Sequence, residues 1–390
     1  MYILQFMENK RVLIFQISSN WGGIETYISN ILLPSLKNVD VIVLSSTSDA
    51  TLLQRIERDN VIIKELPNPR HIFSYVKALL PCLKWADLIY ANKNSSINCL
   101  PLVLSKIVSH AKIFVHAHNT QPTVNGKVKL LHYLFRPVLN LCADTELACS
   151  KAAALYLFGE SKYQKFTIIK NGIDTEHFTY NEHARQRIRK ELGIDDDIKL
   201  IGNVGRMTKQ KNQELLIEAF AKVHKQIPKS CLLILGDGDL ADQLKKQCHE
   251  LSIADSVIFA GNQSDTAPYY SAMDLFVFPS IHEGLPISLI EAQTTGLPVL
   301  VSQSVTREVA ITDQVRFISV PQDDKLCISD ELQSDKESLH WSRAILSTIN
   351  NNVKKDRSIY PQQIRLAGYD VHTSIQKLKL LLKQSLLQHG

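Results

Sequence analysis

The run Asp274-Leu275-Phe276-Val277-Phe278-Pro279-Ser280, with Glu283-Gly284-Leu285-Pro286-Ile287-Ser288-Leu289-Ile290-Glu291 close behind it, decides the fold. Its first part is a short continuous apolar run, the mark of a strand buried on both faces of a parallel sheet. The residues after Pro286 predict the opening turns of a helix. Glu283 then falls in a strand-to-helix loop at the carboxyl end of a strand, where open α/β sheets bind ligands. Eight residues of helix rise roughly 12 Å, so Glu291 is expected deeper along the same groove. That separation suits an extended ligand with a diphosphate at its middle. Backbone N–H groups from Gly284 through Leu285 and Pro286 to Ile287 are expected to hold the phosphates, because a helix N-terminus is an anion site. Glu283 would face a sugar and Glu291 the ribose hydroxyls. Alone, the segment is better explained as a solvated glutamate and a helix-face glutamate flanking a turn. The residues that surround it reverse that preference.

Working outward, strand-like runs alternate with helical patterns along both halves, which predicts parallel α/β sheets. The first series is Val12–Ser18, Val39–Ser45, Val61–Leu66, Asp87–Ala91, Ile113–His118, Leu147–Ser150 and Thr167–Lys170. The second is Lys199–Gly205, Cys231–Gly236, Val257–Ala260, Leu275–Pro279, Val299–Ser302 and Phe317–Val320. Between the two series, Asp174 to Asp197 is polar and charged, and marks the junction. With 390 residues the chain exceeds one typical core and suits two domains. The expected division is 1–174, 175–365 and a terminal helix in 366–390. That last segment is Lys- and Leu-rich over Thr373–Gln388 and amphipathic. Packing across the two domains is the preferred role for it, contact with a membrane surface the second.

No apolar run is long enough to span a bilayer. Residues Met1–Lys10 carry Glu8 and no signal-like segment, so a cytoplasmic protein is expected. Cysteines 82, 99, 142, 149, 231, 248 and 327 have no metal-like spacing and are expected to be buried free thiols. The net charge of +5 is uneven. Residues 1–174 hold 19 Lys/Arg against 12 Asp/Glu, the remainder 25 against 27. Between Leu88 and Ala143 there is no acidic residue. A basic first half would meet an anionic membrane surface or a phosphorylated acceptor. A chance cluster of solvated lysines explains it equally well.

Several further residues carry chemistry. Gly22-Gly23-Ile24-Glu25 follows the first strand and opens a helix. Paired glycines allow close approach of a ligand to backbone, although the Gly-x-Gly-x-x-Gly fingerprint is missing. His116 and His118 end a strand on one face. No third ligand supports a metal there; His116 is expected to be a core histidine, and His118 to contact substrate. Arg206 closes the first strand of the second half, and Lys211 precedes the next helix. Two cations there would face a diphosphate and stabilise charge on a leaving group. Asp237-Gly238-Asp239 is a turn shaping the pocket, in preference to a metal motif.

Together these residues resemble the retaining glycosyltransferases of the large family 4, which have the two-domain GT-B architecture. The resemblance runs through Gly22-Gly23-Ile24-Glu25, His116-Ala117-His118-Asn119, Asn171-Gly172-Ile173-Asp174, Gly205-Arg206, Lys211-Asn212 and the pair Glu283 and Glu291. It is most specific from about Leu200 to Ser302, and bacterial exopolysaccharide, capsule and O-antigen enzymes are the nearest likeness. It implies two Rossmann-like domains facing across a cleft, with the nucleotide sugar held mainly by the second. Glu291 would bind ribose, Glu283 the donor sugar, Arg206 and Lys211 the diphosphate. Gly22 and Gly23 would approach the diphosphate from the first domain, and His118 the donor sugar. The implied donor is UDP-linked, and the implied acceptor a saccharide, including one carried on a polyprenyl diphosphate at the inner membrane face. No metal, no cofactor and no nucleic-acid partner is expected. A nucleotide-sugar epimerase and a non-catalytic partner of an active transferase are the rival readings.

Overall fold

The computed structural model describes residues 10–18, 22–119, 126–160, 166–283, 285–319, 330–351 and 356–387. The chain forms two compact units, Met1–Gly172 joined by Val371–Gly390, and Ile173–Asp370.

The first unit holds strands β1 (Arg11–Ile17), β2 (Asp40–Ser45), β3 (Val61–Glu65), β4 (Leu88–Lys93), β5 (Lys112–Ala117), β6 (Thr145–Ala148) and β7 (Thr167–Ile168). They make one 7-stranded sheet in the order β3-β2-β1-β4-β5-β6-β7, with every pairing parallel. Its helices are α1 (Gly23–Tyr27), α2 (Leu33–Ser35), α3 (Ala50–Gln54), α4 (Ile72–Trp85), α5 (Leu100–Val108), α6 (Gly126–Cys142) and α7 (Lys151–Phe158). Period-two alternation explains why Val12–Phe15 of β1 is continuously apolar: Leu13 and Phe15 enter the core on one face, Val12 and Ile14 that on the other.

The second unit repeats the plan with β8 (Lys199–Val204), β9 (Ser230–Leu235), β10 (Val257–Gly261), β11 (Leu275–Phe278), β12 (Val299–Ser302) and β13 (Val315–Ile318). Their order is β10-β9-β8-β11-β12-β13, again all parallel. The helices are α8 (Glu182–Glu191), α9 (Gln213–Gln226), α10 (Ala241–Glu250), α11 (Ala267–Ala272), α12 (Ile287–Thr294), α13 (Asp330–Asn350) and α14 (Tyr360–Leu366). In both sheets the order reverses beside the first strand, between β1 and β4 and between β8 and β11. That reversal is the switch point where doubly wound sheets bind ligands. The expectation of two Rossmann-like α/β domains is met.

The last helix, α15 (Val371–Leu387), belongs to the first unit. Leu378, Leu382 and Leu386 form a stripe four residues apart, all buried in that unit's core with Ile28, Ile31 and Leu32. Ser374 Oγ also donates to the Lys170 carbonyl at 2.9 Å. The second unit therefore extends to Asp370, and the helix completes the first. The six described cysteines, 82, 99, 142, 149, 231 and 248, are free and buried; Cys327 lies outside the described residues. No helix among the described residues is long and apolar enough to cross a membrane.

Candidate functional site

In the second unit the site grows from the carboxyl ends of β8 and β11, the two strands beside the switch point. Gly205-Arg206 leaves β8, and the turn after β9 packs directly on it. Gly236 has φ +125°, and a Cβ there would lie 2.3 Å from the Gly205 carbonyl oxygen. Only glycine fits that approach. Met207 N donates to the Asp237 carbonyl at 3.0 Å. The Asp237–Asp239 turn thus shapes the loop carrying Arg206, an exposed side chain whose carbonyl accepts from Gln213 Nε2 at 3.2 Å.

Lys211 and Glu283 meet. The ammonium lies 2.7 Å from Glu283 Oε1 and 4.7 Å from the centre of the Phe278 ring. Gln210 Nε2 donates to the same oxygen at 3.0 Å and to the His282 carbonyl at 3.0 Å. Ser280 Oγ is within 3.3 Å of Oε1 and 3.1 Å of the Gln210 carbonyl, with one proton for the two. The donors therefore gather on Oε1 and hold the carboxylate in one orientation, with Oε2 outside the cluster. Gln210 and Ser280 went unnoticed in the sequence, because only folding brings the 208–212 and 280–283 loops together.

Two expectations about this segment need correction. Glu283 stands in the strand-to-helix loop as expected, where it bridges Val305 in parallel fashion, and α12 begins at Ile287 with Pro286 as an extended N-cap. Four helical steps, about 6 Å of rise, separate Ile287 from Glu291, so the 12 Å of helix is not formed. Pro286 has no N–H and donates nothing to a phosphate. Gly284 lies outside the described residues; Leu285 and Ile287 keep their N–H groups, with the Leu285 side chain buried in the core.

Glu291 sits in the second turn of α12. Tyr270 OH donates to its Oε2 at 2.8 Å. Burial pushes the carboxyl up to about 7, against the Tyr270 bond and the influence of His177, which lower it. His177 is itself paired with Asp265, 2.8 Å away.

In the first unit, His118 ends β5 and Asn92 stands on β4 beside it. Asn92 Nδ2 donates to the Phe15 carbonyl at 3.0 Å, which turns its Oδ1 toward His118 Nε2, 2.9 Å away. Nε2 must then carry the proton, leaving Nδ1 as the acceptor. Nδ1 is buried and takes no hydrogen bond. Burial drives the His118 pKa down to about 3, so the imidazole is neutral near pH 7. His116 is fully buried, with Nδ1 at 2.8 Å from Tyr90 OH, which is 2.7 Å from Tyr27 OH. It is the core histidine the sequence suggests.

The Gly22-Gly23 turn is tied down by Glu25. Its Oε2 accepts from Gly22 N at 3.0 Å, and Oε1 from Ser18 Oγ at 2.7 Å and Ser18 N at 3.2 Å. The Gly22 N–H is thus committed within the protein, whereas a Cβ on Gly23 would meet nothing within 4 Å. Open backbone for a ligand at this turn begins at Gly23.

This architecture is the GT-B fold. Anabaena HepE, solved in complex with UDP-glucose, superposes with a TM-score of 0.75 over 96% of this chain and 99% of that one, at 21% identity. Residues 184–334, within the second unit, match the family model described as Glycosyl transferases group 1. Among curated relatives, the putative glycosyltransferase EpsF of Bacillus subtilis is 32% identical over 198 residues, 50% of this chain and 52% of that protein. The Escherichia coli UDP-Gal:alpha-D-GlcNAc-diphosphoundecaprenol alpha-1,3-galactosyltransferase is 30% identical over 194 residues, 48% of this chain and 50% of that enzyme. The matched stretches span about half the length of these relatives.

Proposed function

We propose that the chain is a retaining hexosyltransferase of the family 4 type. It moves a sugar from a nucleotide diphosphate sugar, UDP-linked, to a saccharide acceptor carried on a polyprenyl diphosphate. The place of reaction is the cytoplasmic face of a membrane, in surface polysaccharide synthesis, with the protein peripherally attached and no metal required. The observation that carries this reading is the Glu283 carboxylate, oriented by Lys211 and Gln210 at the switch point of a sheet whose residues 184–334 match the group 1 family. The E. coli relative, named for a UDP-galactose donor and a diphosphoundecaprenol acceptor, supports the substrate classes.

In this reading Glu291 accepts hydrogen bonds from the ribose hydroxyls, while Tyr270 fixes its other oxygen. Glu283 Oε2 accepts from the donor sugar. Arg206 and Lys211 stabilise the charge that develops on the departing diphosphate, where fixed cations act most strongly. The acceptor oxygen attacks the anomeric carbon on the face the diphosphate leaves. The carbon–oxygen bond to phosphate breaks, and the hydroxyl proton passes to the released phosphate oxygen. Neutral His118, whose ring offers only an acceptor nitrogen, receives a hydrogen bond from a sugar hydroxyl and is no general acid near pH 7. The test is incubation with UDP-sugars and a polyprenyl-diphosphate saccharide, followed by NMR of the product. The reading requires an acceptor-dependent product with the donor's anomeric configuration; an inverted product, or interconversion of the donor without acceptor, refutes it.

A further inference from the structure

Helix α6 is built inside out. On an ordinary surface helix the apolar stripe faces the core and the polar residues face water. Here polar groups help fasten the inner face. His132 is fully buried, with Nδ1 accepting from Ser96 N at 3.2 Å and Nε2 at 3.0 Å from the Tyr156 carbonyl. Arg136 Nη2 donates to that same carbonyl at 2.9 Å, and Asn140 Nδ2 to the Phe158 carbonyl at 2.8 Å. The outer face carries Leu130, Leu134 and Leu141, exposed by 61%, 62% and 83%. At 100° per residue these three lie within 40° of one another, opposite His132 and Leu139. Leu131, Tyr133 and Phe135 widen the patch, each at least 40% exposed. Contiguous exposed apolar surface of this kind marks an interaction site.

Charge identifies the occupant. Lys127 and Lys129 stand exposed in the first turn of α6, and among the described residues no acidic side chain pairs with either. The strand-to-helix direction places this turn at the carboxyl edge of the sheet, the edge that also carries His118 and Gly23. Phe73, 90% exposed, opens α4 at the same edge. From Leu88 to Ala143 the sequence contains no carboxylate to repel an anionic surface.

We propose that the outer face of α6, with its first-turn lysines, docks on an anionic lipid bilayer. The leucines enter the acyl boundary and the lysines reach the headgroups, as in interfacial amphipathic helices. The acceptor edge of the first unit is thereby presented to the membrane. The purpose of this docking rests on the lipid-linked acceptor reading, but its test uses no turnover. The full chain is floated with phosphatidylglycerol–phosphatidylcholine vesicles and with pure phosphatidylcholine vesicles. Compared with it are Leu130→Ser/Leu134→Ser, Lys127→Gln/Lys129→Gln, and a control pair on the second unit, Lys245→Gln/Lys246→Gln. Thermal melts confirm that all are folded. Binding to the mixed vesicles is expected, weaker on neutral ones, reduced about tenfold or more by either α6 pair and unchanged by the control. No binding by the wild type, or equal binding by the leucine variant, overturns the proposal. So does a wild-type dimer that the leucine variant dissociates without vesicle binding, since the face would then join two copies of the chain. Vesicle binding without sugar transfer would leave the docking standing and defeat the enzymatic reading alone.

Discussion

The candidate site is a set of side chains that the sequence names separately and the fold pairs. Lys211, expected to face a diphosphate, is found on Glu283 at 2.7 Å. A ligand phosphate would share that cation with the carboxylate. If Lys211 and Arg206 each stabilise developing negative charge, Lys211→Ala and Arg206→Ala should each lower kcat by ~10²–10³. Wild-type turnover in both variants would remove them from the mechanism. Glu291 gives a pH signature. Its carboxyl titrates near 7 in the folded chain against an ordinary 4.5, so the folded state is the better proton binder in between. Its stabilising effect is present in full below about pH 4.5 and is lost as pH rises through about 7. Ionised Glu291 is also the stronger acceptor for ribose hydroxyls. The donor KM should therefore fall as pH rises through about 7. Glu291→Gln should flatten that dependence, and Tyr270→Phe should move it to higher pH, because the tyrosine bond lowers the carboxyl's pKa. A pH profile identical in all three proteins would contradict the role. Glu283, Glu291, Lys211 and His118 were legible because each stands at a strand end or in a recognisable spacing. Gln210, Tyr270 and Asn92 were not, since their partners lie 21 to 73 residues away in sequence; nor was Ser280, which stands three residues from Glu283 but also bonds the Gln210 carbonyl 70 residues away.

At the scale of elements, continuous apolar runs such as Leu232–Leu235 announced themselves as strands. Both faces of the sheet need apolar residues: Leu233 and Leu235 enter one core, Leu232 and Ile234 the other. The start of α12 after Pro286 was legible, but the rise from Glu283 to Glu291 was overestimated, because the nonlocal Glu283–Val305 bridge holds Glu283 in extended backbone before the helix. The inverted α6 was missed because its outer leucines have the same spacing as a core stripe. Only the buried partners of His132 and Arg136 show which face is inward. The Gly236 turn gives a sharp test. Gly236→Ala forces a Cβ onto the Gly205 carbonyl at an unfavourable φ, and should cost roughly 1–3 kcal/mol and weaken donor binding by shifting the Arg206 loop. Chemical denaturation giving wild-type stability would show that the turn relaxes freely. Removal of α15 after Asp370 takes Leu378, Leu382 and Leu386 from the first unit's core. At ~1.5–3 kcal/mol for each buried leucine, the truncated chain should lose at least about 4 kcal/mol; an unchanged melting curve would contradict that packing.

At the scale of the molecule, the chain builds one Rossmann-type plan twice, and length together with strand–helix alternation made that legible. What the alternation does not encode is the return of α15, which makes the first unit discontinuous in sequence. Likeness to the group 1 family is concentrated in residues 184–334, the part carrying Arg206, Lys211, Glu283 and Glu291. The central claim is that this part binds a nucleotide diphosphate through the edge of its sheet. Isothermal titration of the full chain with UDP, in the absence of metal, tests it most directly. The account predicts one site, with affinity reduced tenfold or more (about 1.4 kcal/mol or more) in Glu291→Ala. Absence of binding by UDP and by every other nucleoside diphosphate, or binding that Glu291→Ala leaves intact, would contradict it.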